Sequence, residues 1–212
     1  MSVQSDNFGW IFDQQFRKDN LIIAGSDEAG RGAWAGPLVV ASVILPSSFS
    51  SSSLIKDSKK MTIQQREKQF KVIKKVAIAY SIVVIDTRMV EKLNPKQASI
   101  YGMQSTLLDL KVQPTLALID GEQLPHDFSI KTQKIIKGDN LSLSIAAASI
   151  LAKVTRDHIM YQYHSQYPDY NFLHNVGYGT KAHLQGLMTN GVTNLHRRTY
   201  KPIKDLLAIK TK

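Results

Sequence analysis

The chain has 212 residues, 43% of them hydrophobic and 21% charged, which suits one compact domain, with or without a small appendage, and excludes a wholly disordered chain. Lys and Arg number 27 against 17 Asp and Glu, a formal net charge of +10 that favours a polyanionic partner, either nucleic acid or an anionic membrane surface. There is no cysteine, so disulfides, thiol nucleophiles and Cys-ligated zinc or iron–sulfur centres are excluded.

The opening MSVQSDNFGW has no basic segment followed by an apolar core. No apolar run approaches the roughly 20 residues of a membrane helix; the longest are 39–45 and 145–152. The expectation is a cytoplasmic protein with nucleic acid, not a membrane, as its partner. Residues 21–27 (LIIAGSD) and 38–45 (LVVASVIL) read as buried aliphatic strands separated by a Gly-punctuated turn. The serine cluster of 46–53 reads as a solvated loop. Residues 62–75, dense in Gln, Arg, Glu and Lys, predict an exposed helix, and 76–85 (VAIAYSIVVI) a third strand.

Pro95 suits the first turn of a helix running to about Leu110, with Ile100, Met103, Leu107 and Leu108 on one face. A fourth strand is expected at 116–120 (LALID) and a fifth near 134–137. Residues 144–163 give the clearest helix, in which Ala146, Ala147 and Ala148 permit close packing. From Asn171 the chain is Gly-punctuated and polar, before a short apolar helix near 203–209. Strands come first and then alternate with helices, which predicts an α/β fold: a mixed sheet covered by helices. We divide it into a catalytic core, 1–170, and a C-terminal substrate-binding helical segment, 171–212, together forming one structural unit.

Positive charge is concentrated. Residues 56–75 hold eight Lys and Arg against Asp57 and Glu67, and residues 171–212 hold seven against Asp205 alone. One Lys-rich helix is ordinarily just a solvated face, but two basic segments flanking a group of acids suggest a nucleic-acid track.

Those acids stand where acids are expensive. Asp27 and Glu28 end LIIAGSD, Asp120 ends LALID, and Asp139 precedes the Ala-rich helix. An aspartate at the end of an apolar strand is desolvated unless a cation neutralises it. Each has a mundane alternative: Asp139 as a helix cap, Asp120-Gly121 as a turn, Asp27 as a partner of Arg31. Carboxylates that converge repel one another, and hard divalent ions with oxygen ligands, Mg²⁺ above all, relieve the repulsion. Two such ions clamp the attacking and leaving oxygens of a phosphodiester, as in metal-dependent nucleases. Neighbours in a strand face opposite ways, so Asp27 and Glu28 share a site only if the strand ends there. Gly30-Arg31-Gly32 lacks both the dinucleotide fingerprint and the Lys-Ser/Thr of a P-loop, yet it lets backbone approach a ligand closely and offers Arg31 to a phosphate.

Asp27-Glu28-Ala29-Gly30-Arg31-Gly32 followed by Ala35-Gly36-Pro37 resembles the signature of the ribonuclease HII (type 2 ribonuclease H) family. The resemblance continues through Asp57-Ser58-Lys59-Lys60, Ile119-Asp120-Gly121, Lys137-Gly138-Asp139, the run from Ser144 to Asp157, Gly177-Tyr178-Gly179-Thr180-Lys181-Ala182-His183 and His196-Arg197-Arg198, covering about 21–202 in family order. It implies an RNase H-like fold, a five-stranded mixed sheet with helices on both sides and a helical C-terminal part. It further implies Mg²⁺- or Mn²⁺-dependent cleavage of the RNA strand of RNA–DNA hybrids, with two ions during catalysis. Cutting 5′ to a single ribonucleotide embedded in duplex DNA, leaving 5′-phosphate and 3′-hydroxyl ends, belongs to the same resemblance, as does a role in ribonucleotide removal; a monomer is expected.

By the same matching Asp27, Glu28, Asp120 and Asp139 are the catalytic, metal-binding carboxylates. Gly30, Arg31 and Gly32 form the loop that senses the 2′-hydroxyl, Tyr178 packs on the sugar at the RNA–DNA junction, and Ser58 and Lys59 contact phosphate. The chemistry agrees, since the 2′-hydroxyl is the handle that separates RNA from DNA at one nucleotide. Departures are Ala33-Trp34 in place of Pro-Leu, Val176 where a basic residue is common, and Met61 in place of Leu. Asp157 and Arg156 are expected no closer than a supporting layer. His174, His183 and His196 are read as substrate contacts or surface positions, and Trp10 as an N-terminal packing contact. Two other functions remain: an RNase H-fold DNA endonuclease of resolvase or transposase type, and a hybrid-binding module without catalysis.

Overall fold

The computed structural model describes residues 8–17, 21–49, 61–121, 124 and 127–209. Five strands form one sheet: β1 (Ile23–Ala29), β2 (Leu38–Ile44), β3 (Ala79–Ile85), β4 (Leu116–Asp120) and β5 (Lys131–Ile135), in the order β3-β2-β1-β4-β5. β3, β2 and β1 run antiparallel, whereas β1, β4 and β5 run parallel, so the sheet changes character at its central strand.

The helices among the described residues are α1 (Phe8–Gln14), α2 (Ile63–Val76), α3 (Thr87–Leu93), α4 (Pro95–Leu108), α5 (Gly138–Leu141), α6 (Leu143–Gln166), α7 (Phe172–Asn175), α8 (Lys181–Asn190) and α9 (Lys201–Ile209). One sheet face packs Ala24, Leu38, Val40 and Ile44 against Met103 and Leu107 of α4. The other packs Ala29, Val39, Ala41 and Val43 against Ala147, Ala148 and Leu151 of α6. Strand alternation assigns the two faces. α6 lies so close to β1 that a Cβ on Gly25 would sit 2.1 Å from the Ser144 carbonyl carbon, and the alanines of its first turns make that approach feasible. A third cluster, Met160, Tyr170, Phe172, Leu187 and Ile203, joins the C-terminal helices to the end of α6.

Most expected elements are present, with shifted ends. β1 runs two residues past Asp27 because β2 pairs with it to the end, Asp27↔Ala41, Glu28↔Val40 and Ala29↔Val39. β3 starts at Ala79, since Val76 still belongs to α2, where Ile73 accepts the Ala77 N–H. β5 lies three residues early, over the polar KTQKI, an edge strand with little buried surface to advertise it. Leu108 is 55% exposed and lies off the buried face that Met103 and Leu107 fill. α2 begins with a reciprocal capping box between Thr62 and Gln65, and α4 does have Pro95 in its first turn.

Candidate active site

Asp27, Glu28 and Asp120 lie at the carboxyl ends of the central parallel strands. Ser26 and Ile119 are the last pair in the β1–β4 register, and Asp27 and Asp120 follow them directly. Ligand sites of open α/β sheets form at this end, where the strand order changes direction. Asp27 is 6% exposed. Its carboxylate accepts the backbone N–H of Glu28 at 2.7 Å and is hydrogen-bonded by Ser149 of α6. Its pKa stands well above the usual range, first through burial and then through repulsion by Glu28 and Asp120. Asp120 Oδ1 accepts the Gly138 N–H at 2.7 Å, a bond that ties β4 to the start of α5. Asp139, the next residue, is buried in the first turn of α5, where its Oδ1 accepts from Asn140 at 2.9 Å. It does not cap the long helix; Ser142 does.

The expected strand end after Asp27 does not occur, because β2 holds the backbone extended through Ala29. Gly25 and Asp27 look onto α6, and alternation places Glu28 on the face of Ser26. Glu28 nevertheless acts on Asp27 electrostatically, and its Oε1 lies 3.5 Å from Arg31 Nε. Arg31 therefore pairs with Glu28, not Asp27. Among the described residues, no three His, Asp or Glu side chains form a ready-made metal-ligating group. The donor set nonetheless suits a hard divalent cation: carboxylate oxygens from two adjacent strands, with one carboxyl that burial, and then its acidic neighbours, push toward protonation.

Beside the acids, Gly30 adopts φ +94°, a conformation that favours glycine, and a Cβ there would strike the Arg156 guanidinium at 2.0 Å. A Cβ on Gly32 would meet nothing within 4 Å, so that backbone is open to an incoming group. Arg156 is fully buried, and its guanidinium donates to the carbonyls of Pro37, Val176 and Ala35 at 2.9, 2.8 and 3.1 Å. It lies 5.3 Å from the centre of the Tyr178 ring. Burial lowers its pKa to about 10, which leaves it cationic at neutral pH. Arg197, equally buried, donates to the carbonyls of Gly36 and Arg31 and to the Tyr200 hydroxyl. Trp34 and Ala35 both donate backbone N–H to the Gly177 carbonyl. The glycine loop and the Tyr178 loop thus form one rigid piece. Val176, a β-branched residue at φ +41°, costs this piece about 1–2 kcal/mol of backbone strain, and its carbonyl faces Arg156.

Tyr178 is 39% exposed and reachable by a ligand. Ser58 and Lys59 lie outside the described residues. His183 and His196 are not at the surface: both are buried, with their Nε2 atoms 3.0 Å apart, because aromatic neighbours from α7 and the preceding turn enclose them. Asp157 pairs with Lys153 at 2.6 Å. Trp10 packs as expected, and its Nε1 donates to the Ser47 carbonyl. Arg156 lies in the supporting layer expected of it, and Arg197, singled out in the sequence only within His196-Arg197-Arg198, lies there too.

A family model described as Ribonuclease HII matches residues 24–203. The chain is also 51% identical over 197 residues to a ribonuclease HII of Mycoplasma capricolum, covering 92% of this chain and 95% of that one. The chain belongs to the ribonuclease HII family. A member of this family is a ribonuclease H, so the protein is an enzyme that hydrolyses phosphodiesters. The fold agrees. The crystal structure of ribonuclease H2 from Pyrococcus horikoshii superposes with a TM-score of 0.77 at 24% identity, covering 90% of this chain and 99% of that one. Bst-RNase HIII in complex with Mn²⁺ superposes with a TM-score of 0.68 at 20% identity, over 89% and 70% of the two chains. The RNase H-like expectation therefore holds for this ribonuclease HII relative. Among the described residues no helix is long and apolar enough to cross a membrane.

Proposed function

We propose that this ribonuclease H cuts the RNA strand of RNA–DNA hybrids, and cuts 5′ to single ribonucleotides embedded in duplex DNA, leaving 5′-phosphate and 3′-hydroxyl ends. Asp27, Glu28, Asp120 and Asp139 would hold two Mg²⁺ or Mn²⁺ ions. The observation that carries this reading is the crowding of buried negative charge at Asp27 by Glu28 and Asp120, beside a backbone opening at Gly32. Mg²⁺ keeps several waters and takes one or two carboxylates plus substrate phosphate, so a loose set of acids suffices. Bound there, such ions would supply Lewis acidity, a nucleophilic water and charge neutralisation at the departing 3′ oxygen.

The chain's own residues do the rest. Gly138 N–H holds Asp120 Oδ1 and so fixes where that carboxylate sits beside Asp27. Ser149 and the Glu28 N–H orient Asp27. The backbone at Gly30, Arg31 and Gly32 senses the 2′-hydroxyl, and Arg156 and Arg197 pin that backbone from behind. Tyr178, resting on Arg156, packs on the sugar at the junction. Segment 171–212 supplies this ring and basic surface for the duplex, and the enzyme works as a cytoplasmic monomer in ribonucleotide removal.

The test separates cutting from binding. Asp27→Asn and Asp120→Asn are expected to abolish cleavage of an RNA–DNA hybrid in Mg²⁺ while keeping duplex affinity within a few-fold. Retained turnover in both variants would falsify the assignment. Efficient cutting of an all-DNA duplex would replace the reading with a DNA endonuclease.

A further inference from the structure

Two histidines behind the Tyr178 loop take no part in the chemistry above. His183 of α8 and His196 are 0% and 1% exposed. They sit among Tyr170 and Phe172, and Trp34 stands 5.6 Å from the His183 ring. Hydrogen-bond accounting places their protons. The backbone N–H of Thr193 points at His196 Nδ1 from 3.0 Å, and an N–H can only donate. His196 Nδ1 therefore accepts, and the proton of the neutral ring sits on Nε2. That Nε2 lies 3.0 Å from His183 Nε2, which must accept it. The His183 proton is thereby forced onto Nδ1, 3.0 Å from the carbonyl of Tyr178, to which it donates. Donation runs in one direction, from Thr193 through His196 and His183 to the main chain of Tyr178.

Both rings are neutral because burial lowers their pKa values, His196 to about 4. The Trp34 ring packs against the next residue, so that a Cβ on Gly179 would be 2.1 Å from it. The Tyr178–Gly179 segment thus touches both an imidazole and an indole, while the Tyr178 side chain rests on Arg156.

We propose that the His196–His183 pair is a positioning relay for Tyr178, fixing the peptide that carries the sugar-packing ring and so setting selectivity for a ribonucleotide–DNA junction. The proposal rests on the role given to Tyr178 above. A relay of this kind acts through another residue, so its signature is a fixed tautomer and a dependence on Tyr178, not mere loss of fold.

The first measurement uses the unaltered protein. Nitrogen-15 imidazole correlations at pH 7 are expected to show His183 protonated on Nδ1 and His196 on Nε2. The reverse assignment at either ring, or a cationic ring, overturns the relay. The second measurement uses side-chain amides as atom-by-atom substitutes. In His183→Gln the amide overlays Nε2 and loses the donor to Tyr178; in His183→Asn the amide overlays Nδ1 and keeps it. On a DNA duplex with one embedded ribonucleotide, His183→Gln is expected to lower kcat/KM roughly tenfold, chiefly through KM, the effect of one lost hydrogen bond. His183→Asn is expected to recover most of the loss, and a uniform hybrid to lose less. Neither change should matter in a Tyr178→Ala background. Equal losses in the two variants, equal losses on both substrates, or additivity with Tyr178→Ala would each overturn the proposal. Unchanged cleavage by Tyr178→Ala alone would instead remove the reading of Tyr178, while the tautomer result would still report whether the relay exists.

Discussion

Replacing Asp27 by Asn should make the metal-free protein more stable while ending its activity. Asp27 is 6% exposed, and burial, then Glu28, then Asp120 push its pKa well above the ordinary 3.8. A carboxyl whose native pKa is raised contributes most to stability at acid pH, and that contribution is lost as pH rises from 3.8 through the native value. At pH 7 the folded state therefore either retains a proton the unfolded chain would release or holds a charge against two like charges. Asn is of the same size, and its carbonyl still accepts the Glu28 N–H now held at 2.7 Å. Removing one buried charge of this kind is worth on the order of 1–3 kcal/mol. For a chain of this length each kcal/mol moves Tm by about 2–4 °C, so Asp27→Asn should melt roughly 2–12 °C higher in EDTA at pH 7. The difference should shrink toward pH 4, where the unfolded chain takes up the proton as well. Saturating Mg²⁺ should narrow or invert it, since a ligand at 100 times its Kd stabilises the wild type by about 2.7 kcal/mol. Thermal unfolding by circular dichroism between pH 4 and 8, with EDTA or Mg²⁺, reads all of this. A variant that melts at or below wild type in EDTA at pH 7 would refute the electrostatic reasoning.

Other perturbations probe the frame around the site. Gly25→Ala places a methyl 2.1 Å from the Ser144 backbone and should cost about 3 kcal/mol or more in urea denaturation, because α6 must move; wild-type stability would disprove the close approach. Asp13→Ala removes the acceptor of the Ser142 hydroxyl and of both the backbone N–H and hydroxyl of Ser144, and should cost roughly 2–4 kcal/mol by the same measure. His196 is neutral in the native state with its pKa lowered to about 4 from 6.5, so the unfolded chain binds the extra proton between these values. Wild type should therefore lose about 3 kcal/mol as pH falls from 6.5 to 4, and His196→Gln should lack that slope. Asp27 contributes with the opposite sign, so the comparison between the two proteins, not the wild-type curve alone, is the readout.

The sequence carried the site further than it carried the frame. Aspartates closing apolar strands are legible because desolvated charge stands out against LIIAGSD and LALID, and the sheet sets those strand ends side by side. Tyr178 between two glycines was likewise visible. The backbone carbonyls that Arg156 and Arg197 hold are not legible, because periodicity does not reveal such partners. His183 and His196 were misplaced at the surface for a similar reason: their burial depends on aromatic residues that fold back from another helix. β5 was shifted because a polar edge strand owes its place to pairing with β4, not to its own pattern. The continuation of β1 through Glu28 also comes from its neighbour, which overrides the glycines that follow.

The most direct measurement is cleavage of an end-labelled DNA duplex containing one ribonucleotide, in Mg²⁺ and in EDTA. A carboxylate cluster that gathers divalent ions beside a 2′-hydroxyl sensor predicts one cut 5′ to the ribonucleotide in Mg²⁺, none in EDTA, and none in the matching all-DNA duplex. Cleavage that persists in EDTA, or that ignores the ribonucleotide, would contradict it.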